Sequence, residues 1–405
     1  VLKLQGEGVK LVSCGEEFVV VMLADGHLVS WGRNEKGQCG RGLSNEDELF
    51  MPPGAMEYPV PAGVILISLG EEHALALTDQ AQMYSWGRNT EGQLGLGHNR
   101  NSLCPMLIHA LPSAIRHMDA GELHSVAVDE EGLVWTWGCG DHGRLGHGVE
   151  DLEVDLPTGR LEPCIVEGLR GRRCDFVAAG AKHTAVLTRG QVFMFGHDLD
   201  DQMGNLTRQL QQNNCQLTPQ VVRYLRMYRI KKVACGYAHT LALAENGKVY
   251  SWGLNDHGQL GHTPDSHSCC RPHVVDRMSG VKAVDIKCGM AHSAIVSSEG
   301  DLYMFGWGKD GRLGLFDEKD SPYPRLVYGI PGAVRHVSLG YEFSVVVLEK
   351  EVTEEEEDEH RELVAAIRER EFRSPTPTKV KLLSRALGSA SGVSTSDSSA
   401  SEKEN

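Results

Sequence analysis

The sequence predicts an all-β protein in which one short-stranded unit recurs seven times, and three observations carry that prediction. Glycine is abundant, 46 of 405 residues, without the every-third-residue period of a collagen chain. A glycine-centred motif returns at near-constant intervals along most of the chain. Between these glycines lie β-branched or apolar runs of about five residues, bounded by Gly, Asn and Asp, the pattern of short strands and tight turns.

The motif comes first. Cys14-Gly15-Glu16-Glu17-Phe18 returns as Leu69-Gly70-Glu71-Glu72-His73, and the same glycine stands at Gly121, Gly180, Gly236, Gly289 and Gly340. The intervals are 55, 51, 59, 56, 53 and 51 residues, which makes seven copies. A second element follows in the first six copies: Trp31-Gly32, Trp86-Gly87, Trp137-Gly138, Phe195-Gly196, Trp252-Gly253 and Phe305-Gly306. A third follows closely, as in Gly92-Gln93-Leu94-Gly95 and Gly258-Gln259-Leu260-Gly261. The fourth copy reads Asp201-Gln202-Met203-Gly204 there. Asp tolerates left-handed backbone better than most side chains, so the turn is expected to survive.

Each unit reads as four strands, in the fifth copy residues 230–235, 240–244, 248–252 and 273–275. One four-stranded sheet cannot bury both faces, but seven packed radially can, so a seven-bladed β-propeller is expected over residues 1–349. A linear solenoid is the rival; four strands per unit and no obvious polar caps favour the ring. The seventh copy offers only two inner strands, 334–339 and 343–348, so that blade is incomplete in this chain. Residues 1–4 are expected to supply its outer edge, and a further strand with a Trp-Gly or Phe-Gly pair is expected upstream of the first residue.

The period and the Trp-Gly dipeptide separate these repeats from WD40 units, and the paired glycines of Kelch units are missing. Cys235-Gly236-Tyr237-Ala238-His239-Thr240, Tyr250-Ser251-Trp252-Gly253-Leu254-Asn255 and Gly258-Gln259-Leu260-Gly261 together resemble the RCC1 (regulator of chromosome condensation) repeat family. The resemblance covers residues 9–349 in all seven copies and implies a seven-bladed propeller of RCC1 type. It brings in guanine-nucleotide exchange on a Ran-like small GTPase, the activity of the founding member. That member's wedge-like insertion and basic N-terminal arm have no counterpart identified here. A plant UV-B photoreceptor of similar type carries Gly-Trp-Arg-His-Thr motifs. The matching positions here read Gly236-Tyr237-Ala238-His239-Thr240 and Gly289-Met290-Ala291-His292-Ser293, so its tryptophan cluster is missing.

Charge and composition narrow the function. With 40 basic and 55 acidic residues the net charge is −15, which disfavours direct nucleic-acid binding and suits a partner with a basic surface. No apolar run approaches 18 residues, so no membrane span is expected. The N-terminus has neither an initiator Met nor the form of a signal peptide. Eleven cysteines without a Cys-x-x-Cys pair read as reduced core residues in a reducing compartment, cytosol ahead of nucleus, and no zinc site or other cofactor is expected. No phosphate-binding loop, His-Glu-x-x-His or Gly-x-Ser-x-Gly occurs, so no catalytic residue is assigned and an enzyme is not expected.

The recurring His73, His124, His183, His239 and His292 are read as packing residues, because Phe18 and Phe343 fill the same place in two copies. The loops are more informative. Strand direction alternates, so the loop joining strands one and two shares a face with the loop joining strands three and four. The first set places Glu16, Glu17, Glu71, Glu72, Glu122 and Glu342 on an acidic arc, opposite Lys182, Tyr237 and Met290. The second set adds Asp141, His142, Asp256 and His257 as outer contacts. Such an arc steers a basic partner. The expected function is therefore a non-enzymatic interaction scaffold or regulator, with exchange on a Ran-like GTPase as the alternative. The long segments 149–156 and 206–217 are candidate functional loops. Residues 350–405 form an acidic, then Ser-rich tail, expected to be flexible with a short helix at 361–372, and available to dock on the propeller or recruit a second protein.

Overall fold

The computed structural model describes residues 8–42, 49–56, 60, 63–112, 114–148, 159–205, 214–262 and 267–349. Six antiparallel four-stranded sheets follow one another, each with its strands side by side in chain order, and a two-stranded sheet comes last. The sheets are termed blades one to six, and the last the hairpin. This corrects the expectation of seven blades: among the described residues six are present, and the final copy contributes only Val334–Leu339 and Ser344–Leu348. The physical reason is that no Trp-Gly strand follows residue 348, so nothing among the described residues extends the hairpin outward. Residues 1–4, proposed above as its outer edge, lie outside the described residues, as do 149–156, 206–213 and 350–405.

The hairpin sits between blade six and blade one. His292 Nε2 meets Ser344 Oγ at 3.2 Å on one side, and the Cys14 amide donates to Ser338 Oγ at 3.1 Å on the other. First strands line a central channel. Second strands are buried at every position in all six blades, because neighbouring blades cover both faces. Among the described residues the hairpin's second strand has no third strand beside it, and it is only alternately buried.

Blade five shows how the sequence makes the unit. Its strands are Ile230–Cys235, His239–Ala244, Val249–Leu254 and Ser268–Val274. The last begins five residues before the expected 273, because Ser268 and Cys269 pair with Leu254 and Gly253 across an irregular register. Gly253 has φ +103°, and a Cβ there would lie 2.5 Å from the Ala238 carbonyl oxygen. A Cβ on Gly236 would overlap the His239 ring. Glycine is therefore required at both ends of the motif. Asp201, which replaces the turn glycine of blade four, does adopt φ 64°.

Blades are stitched together by polar groups. Trp86, Trp137 and Trp252 are buried, and each indole N–H donates to the backbone carbonyl of Gln38, Gln93 or Gln202 in the preceding blade at 2.8–2.9 Å. Each motif histidine meets a hydroxyl of the next unit: His73 Ser125, His124 Thr184, His183 Thr240, His239 Ser293 and His292 Ser344, at 2.9–3.2 Å. Ser125, Thr184, Ser293 and Ser344 donate in turn to backbone carbonyls, so they accept from histidine Nε2–H. Where the motif holds Phe, the next unit holds an apolar residue: Phe18 packs with Ala74, and Phe343 with Val19. Burial drives the pKa of His73, His183, His239 and His292 down to about 3, so these rings stay neutral. Among the described residues no helix is long and apolar enough to cross a membrane.

Candidate functional site

The two residues between each motif glycine and histidine form a tight turn, closed in blade two by the Gly70 amide donating to the His73 carbonyl at 2.9 Å. Their face is called the upper face. The loop joining strands three and four reaches the same face, since the amides of Arg33, Arg88 and Leu254 donate to the carbonyls of Glu17, Glu72 and Ala238 at 2.9 Å. Neighbouring turns are also tied together. Glu16 N donates to Glu71 O, Glu122 N to Gly180 O, and Tyr237 N to Met290 O, at 3.2–3.3 Å.

The first turn residue continues the channel-facing side of its strand, and the second points outward. Glu16, Glu71 and Glu122 therefore meet at the channel mouth, with Tyr237, Met290 and Tyr341 across from them. The Tyr237 and Tyr341 rings stand edge to face, 6.5 Å between centroids. Below the mouth the channel holds a cavity of about 350 Å³ whose walls include Ser68, Asp119, Lys232, Asp285 and Lys287. Lys232 and Asp285 form an ion pair, and Asp119 accepts from Ser68 Oγ at 2.6 Å and from the Ala179 amide at 2.9 Å.

Electrostatics single out the mouth. Burial, then the charges of Glu122, Glu16 and Glu72, push the Glu71 carboxyl up to about 7. Burial, with Glu17 and Glu72, also raises Glu16. Glu122 Oε2 is buried and has no hydrogen-bond partner among the described residues. The same carboxylates act across the mouth: after burial, Glu122 and Glu71 are the next causes raising the phenols of Tyr341 and Tyr237. The arrangement holds carboxylates short of counter-charge beside hydrogen-bonding phenols, and so suits a cationic or donor-rich group.

The other expected residues divide. Glu17 is exposed and pairs with Arg33 at 3.3 Å. Glu72 is buried and pairs with Arg88 at 2.9 Å, so it holds its loop and offers little surface. Glu342, Asp141 and His142 are exposed. The His142 ring lies edge-on to His197, 4.7 Å between centroids, and burial followed by Arg144 and Lys182 lowers its pKa. Asp256 pairs with His267, and His257 Nδ1 meets Asp320 Oδ2 at 2.8 Å.

Sequence reasoning missed the setting of Trp307. His257 stacks on one side of it, 4.9 Å between centroids at 21°. The Arg312 guanidinium lies 3.9 Å from its centroid and donates to the Tyr341 carbonyl at 3.0 Å. The available signal was Arg312 standing where four other copies have Gln. Arg144 in blade three makes the corresponding reach, donating to the Ala181 carbonyl at 3.1 Å.

The RCC1-like domain family model matches residues 1–350. The ultraviolet-B receptor UVR8 of Arabidopsis thaliana is 33% identical over 331 residues, covering 80% of this chain and 71% of UVR8. The E3 ubiquitin-protein ligase HERC2 of Homo sapiens is 30% identical over 313 residues, covering 76% of this chain but only 6% of the ligase. The solved structure of Prp20p from Saccharomyces cerevisiae, described with its binding properties to Gsp1p and histones, superposes with a TM-score of 0.71 at 21% identity. It covers 88% of this chain and 86% of Prp20p. That last likeness shows the fold, whereas the family match and the UVR8 identity bear on descent. The chain belongs to the RCC1-like domain family.

Proposed function

We propose that the chain is a protein-binding propeller whose upper face captures a partner with a basic surface, without turnover chemistry of its own. The observation that carries this reading is the convergence of Glu16, Glu71 and Glu122 on one channel mouth, where burial and mutual repulsion raise Glu71 to about 7. A Lys or Arg side chain entering the mouth relieves that repulsion and gives the partner its register. Glu17, Glu342, Asp141, His142, Asp256 and His257 form an outer ring of contacts, and Glu72 supports them through Arg88. The binding of Prp20p to Gsp1p and histones suggests which ligands to try first. Exchange on a Ran-like GTPase is a second form of the same reading. There the captured surface belongs to the GTPase, and the nucleotide-poor form binds best. The work is placed in cytosol or nucleus.

The test compares the chain with Glu16→Gln/Glu71→Gln/Glu122→Gln. Binding of purified core histones and release of fluorescent GDP from Ran are measured in parallel. Binding at least tenfold weaker in the variant supports the reading, and accelerated release that the variant loses promotes the exchange form. Equal behaviour of both proteins in both assays removes it.

A further inference from the structure

One sector of the face opposite the turns is rich in arginine. That face is built from the hairpins between second and third strands and from the connections between blades. These interlock: Glu245 N donates to Arg229 O at 2.8 Å, Ile230 N to Gly190 O at 3.1 Å, and Cys174 N to Gly132 O at 3.1 Å. The connections 166–175 and 222–229 present Arg170, Arg172, Arg173, Arg223, Arg226 and Arg229, all exposed, in a chain of net charge −15. Arg189, also exposed, lies in the blade-four hairpin between them. Arg170 pairs with Glu167 at 2.8 Å and Arg229 with Glu245 at 3.9 Å. The guanidinium groups of Arg173, Arg189, Arg223 and Arg226 make no ion pair among the described residues. Met227 is 89% exposed at the centre of the second connection. The connections 56–63, 108–114 and 327–333 contain no Lys or Arg, and 275–282 contains only Arg277 and Lys282, so arginine is densest at blades three to five.

The complement lies in the same chain. Residues 351–359 hold seven acidic and no basic residues. The strand Ser344–Leu348 runs from the upper to the lower face, where the Glu349 amide donates to the Ala333 carbonyl at 2.9 Å. Glu349, two residues before the acidic run, therefore lies on the arginine-bearing side. Ten residues past Glu349 span up to ~33 Å when extended. Sheets pack ~10 Å apart, so two to three blade steps are roughly 20–30 Å. Carboxylate–guanidinium pairs are the strong class of charged hydrogen bond, and a short tether places the run at a millimolar-range effective concentration.

We propose that residues 351–359 dock on the arginine sector of blades three to five, making the lower face an acidic-peptide site occupied by the chain's own tail. This does not depend on the upper-face reading, and neither fails with the other. Docking closes the sector to acidic partners until the tail is displaced, and the contact weakens as salt rises.

The test uses a fluorescein-labelled peptide of residues 350–360, read by anisotropy at low and high salt. One protein is the full chain. A second carries Glu354→Gln, Glu355→Gln, Glu356→Gln, Glu357→Gln, Asp358→Asn and Glu359→Gln. The neutralised-tail protein is expected to bind the peptide at least tenfold more tightly than the intact chain. Adding Arg223→Gln/Arg226→Gln/Arg229→Gln to it is expected to lose at least tenfold. These side chains are exposed, so folding is kept, and Arg170→Gln/Arg172→Gln/Arg173→Gln gives a second route to the same loss. Equal binding by intact and neutralised-tail proteins overturns the proposal and assigns the sector to an external acidic partner. Binding that neither arginine set weakens overturns the sector itself.

Discussion

On the upper face, Glu16, Glu71 and Glu122 crowd a channel mouth whose turns are bonded blade to blade; on the lower face, Arg173, Arg223 and Arg226 stand exposed on connections between blades. Both sets are charged loop residues on one scaffold, yet burial separates them. Glu16 and Glu71 have lost part of their hydration and feel the neighbouring carboxylates, so their ionisation is coupled to folding and to any ligand. The lower guanidinium groups keep their water, so they are available for binding without burdening the fold. Charge in a loop is a statement about stability only where the backbone brings it out of solvent.

That contrast orders the expected effects. The largest belongs to the buried ties beneath the upper turns. His239→Ala removes a buried ring and leaves Ser293 Oγ short of its donor, a loss of roughly 2–4 kcal/mol in denaturant unfolding. His239→Phe/Ser293→Ala copies the Phe18–Ala74 pairing and is expected to recover more than half of it. If the double substitution is as harmful as the alanine, the pairing rule is wrong.

Acid comes next. His73, His183, His239 and His292 have folded pKa values near 3, below the ~6.5 of the unfolded chain, and burial lowers His124 as well, so the unfolded state takes up the protons. Their contribution is present above pH ~6.5 and is lost as pH falls from there toward 3, at up to ~1.4 kcal/mol per pH unit for each ring. Denaturant midpoints should fall steadily below pH 6.5, less steeply in His239→Phe/Ser293→Ala. A flat profile would show that the rings protonate in the folded ring.

Glu71 has the opposite sign. Its folded pKa of about 7 exceeds the ordinary carboxylate value, so its stabilising contribution is present below pH ~4.5 and lost as pH rises through 7. Glu71→Gln should raise stability by roughly 1–2 kcal/mol at pH 8, allowing for solvent screening at the mouth, and change nothing at pH 4. A gain at both pH values would point to packing instead of charge. The smallest effect is on the lower face: Arg223→Gln, Arg226→Gln and Arg229→Gln should each shift stability by no more than about 0.5 kcal/mol. A larger loss would mean that the arginines hold the ring together.

Much of this was legible in the sequence where sterics dictate it. Gly236 and Gly253 recur because a Cβ at either would strike a ring or a carbonyl, so the repeat and its turns could be counted directly. Counting glycines did not count blades. Gly340 marks a seventh inner turn, but a blade also needs third and fourth strands, and among the described residues the seventh copy has neither. Fourth strands are half-exposed and lack alternation, which hid the early start at Ser268. The acidic arc was visible, but not its division. Glu71 faces the channel and Glu72 turns back to Arg88, a difference set by strand alternation. Arg33 and Arg88, each directly after a Trp-Gly pair, were the signal for those partners. The pairing of histidine with a hydroxyl, and of Phe with Ala or Val, is written in the repeats but needs the neighbour relation to be read. The lower arginines were hidden by a net charge that sums over both faces.

The upper face's claim to a basic partner rests most directly on the pH at which its carboxylates ionise. The deciding measurement is the affinity of purified core histones for the chain at pH 5.5 and pH 8, beside Glu16→Gln/Glu71→Gln/Glu122→Gln. The account expects binding to tighten about tenfold between the two pH values, one further carboxylate charge being worth roughly 1.4 kcal/mol, and expects the variant to show no such gain. The same affinity at both pH values, matched by the variant, would contradict it.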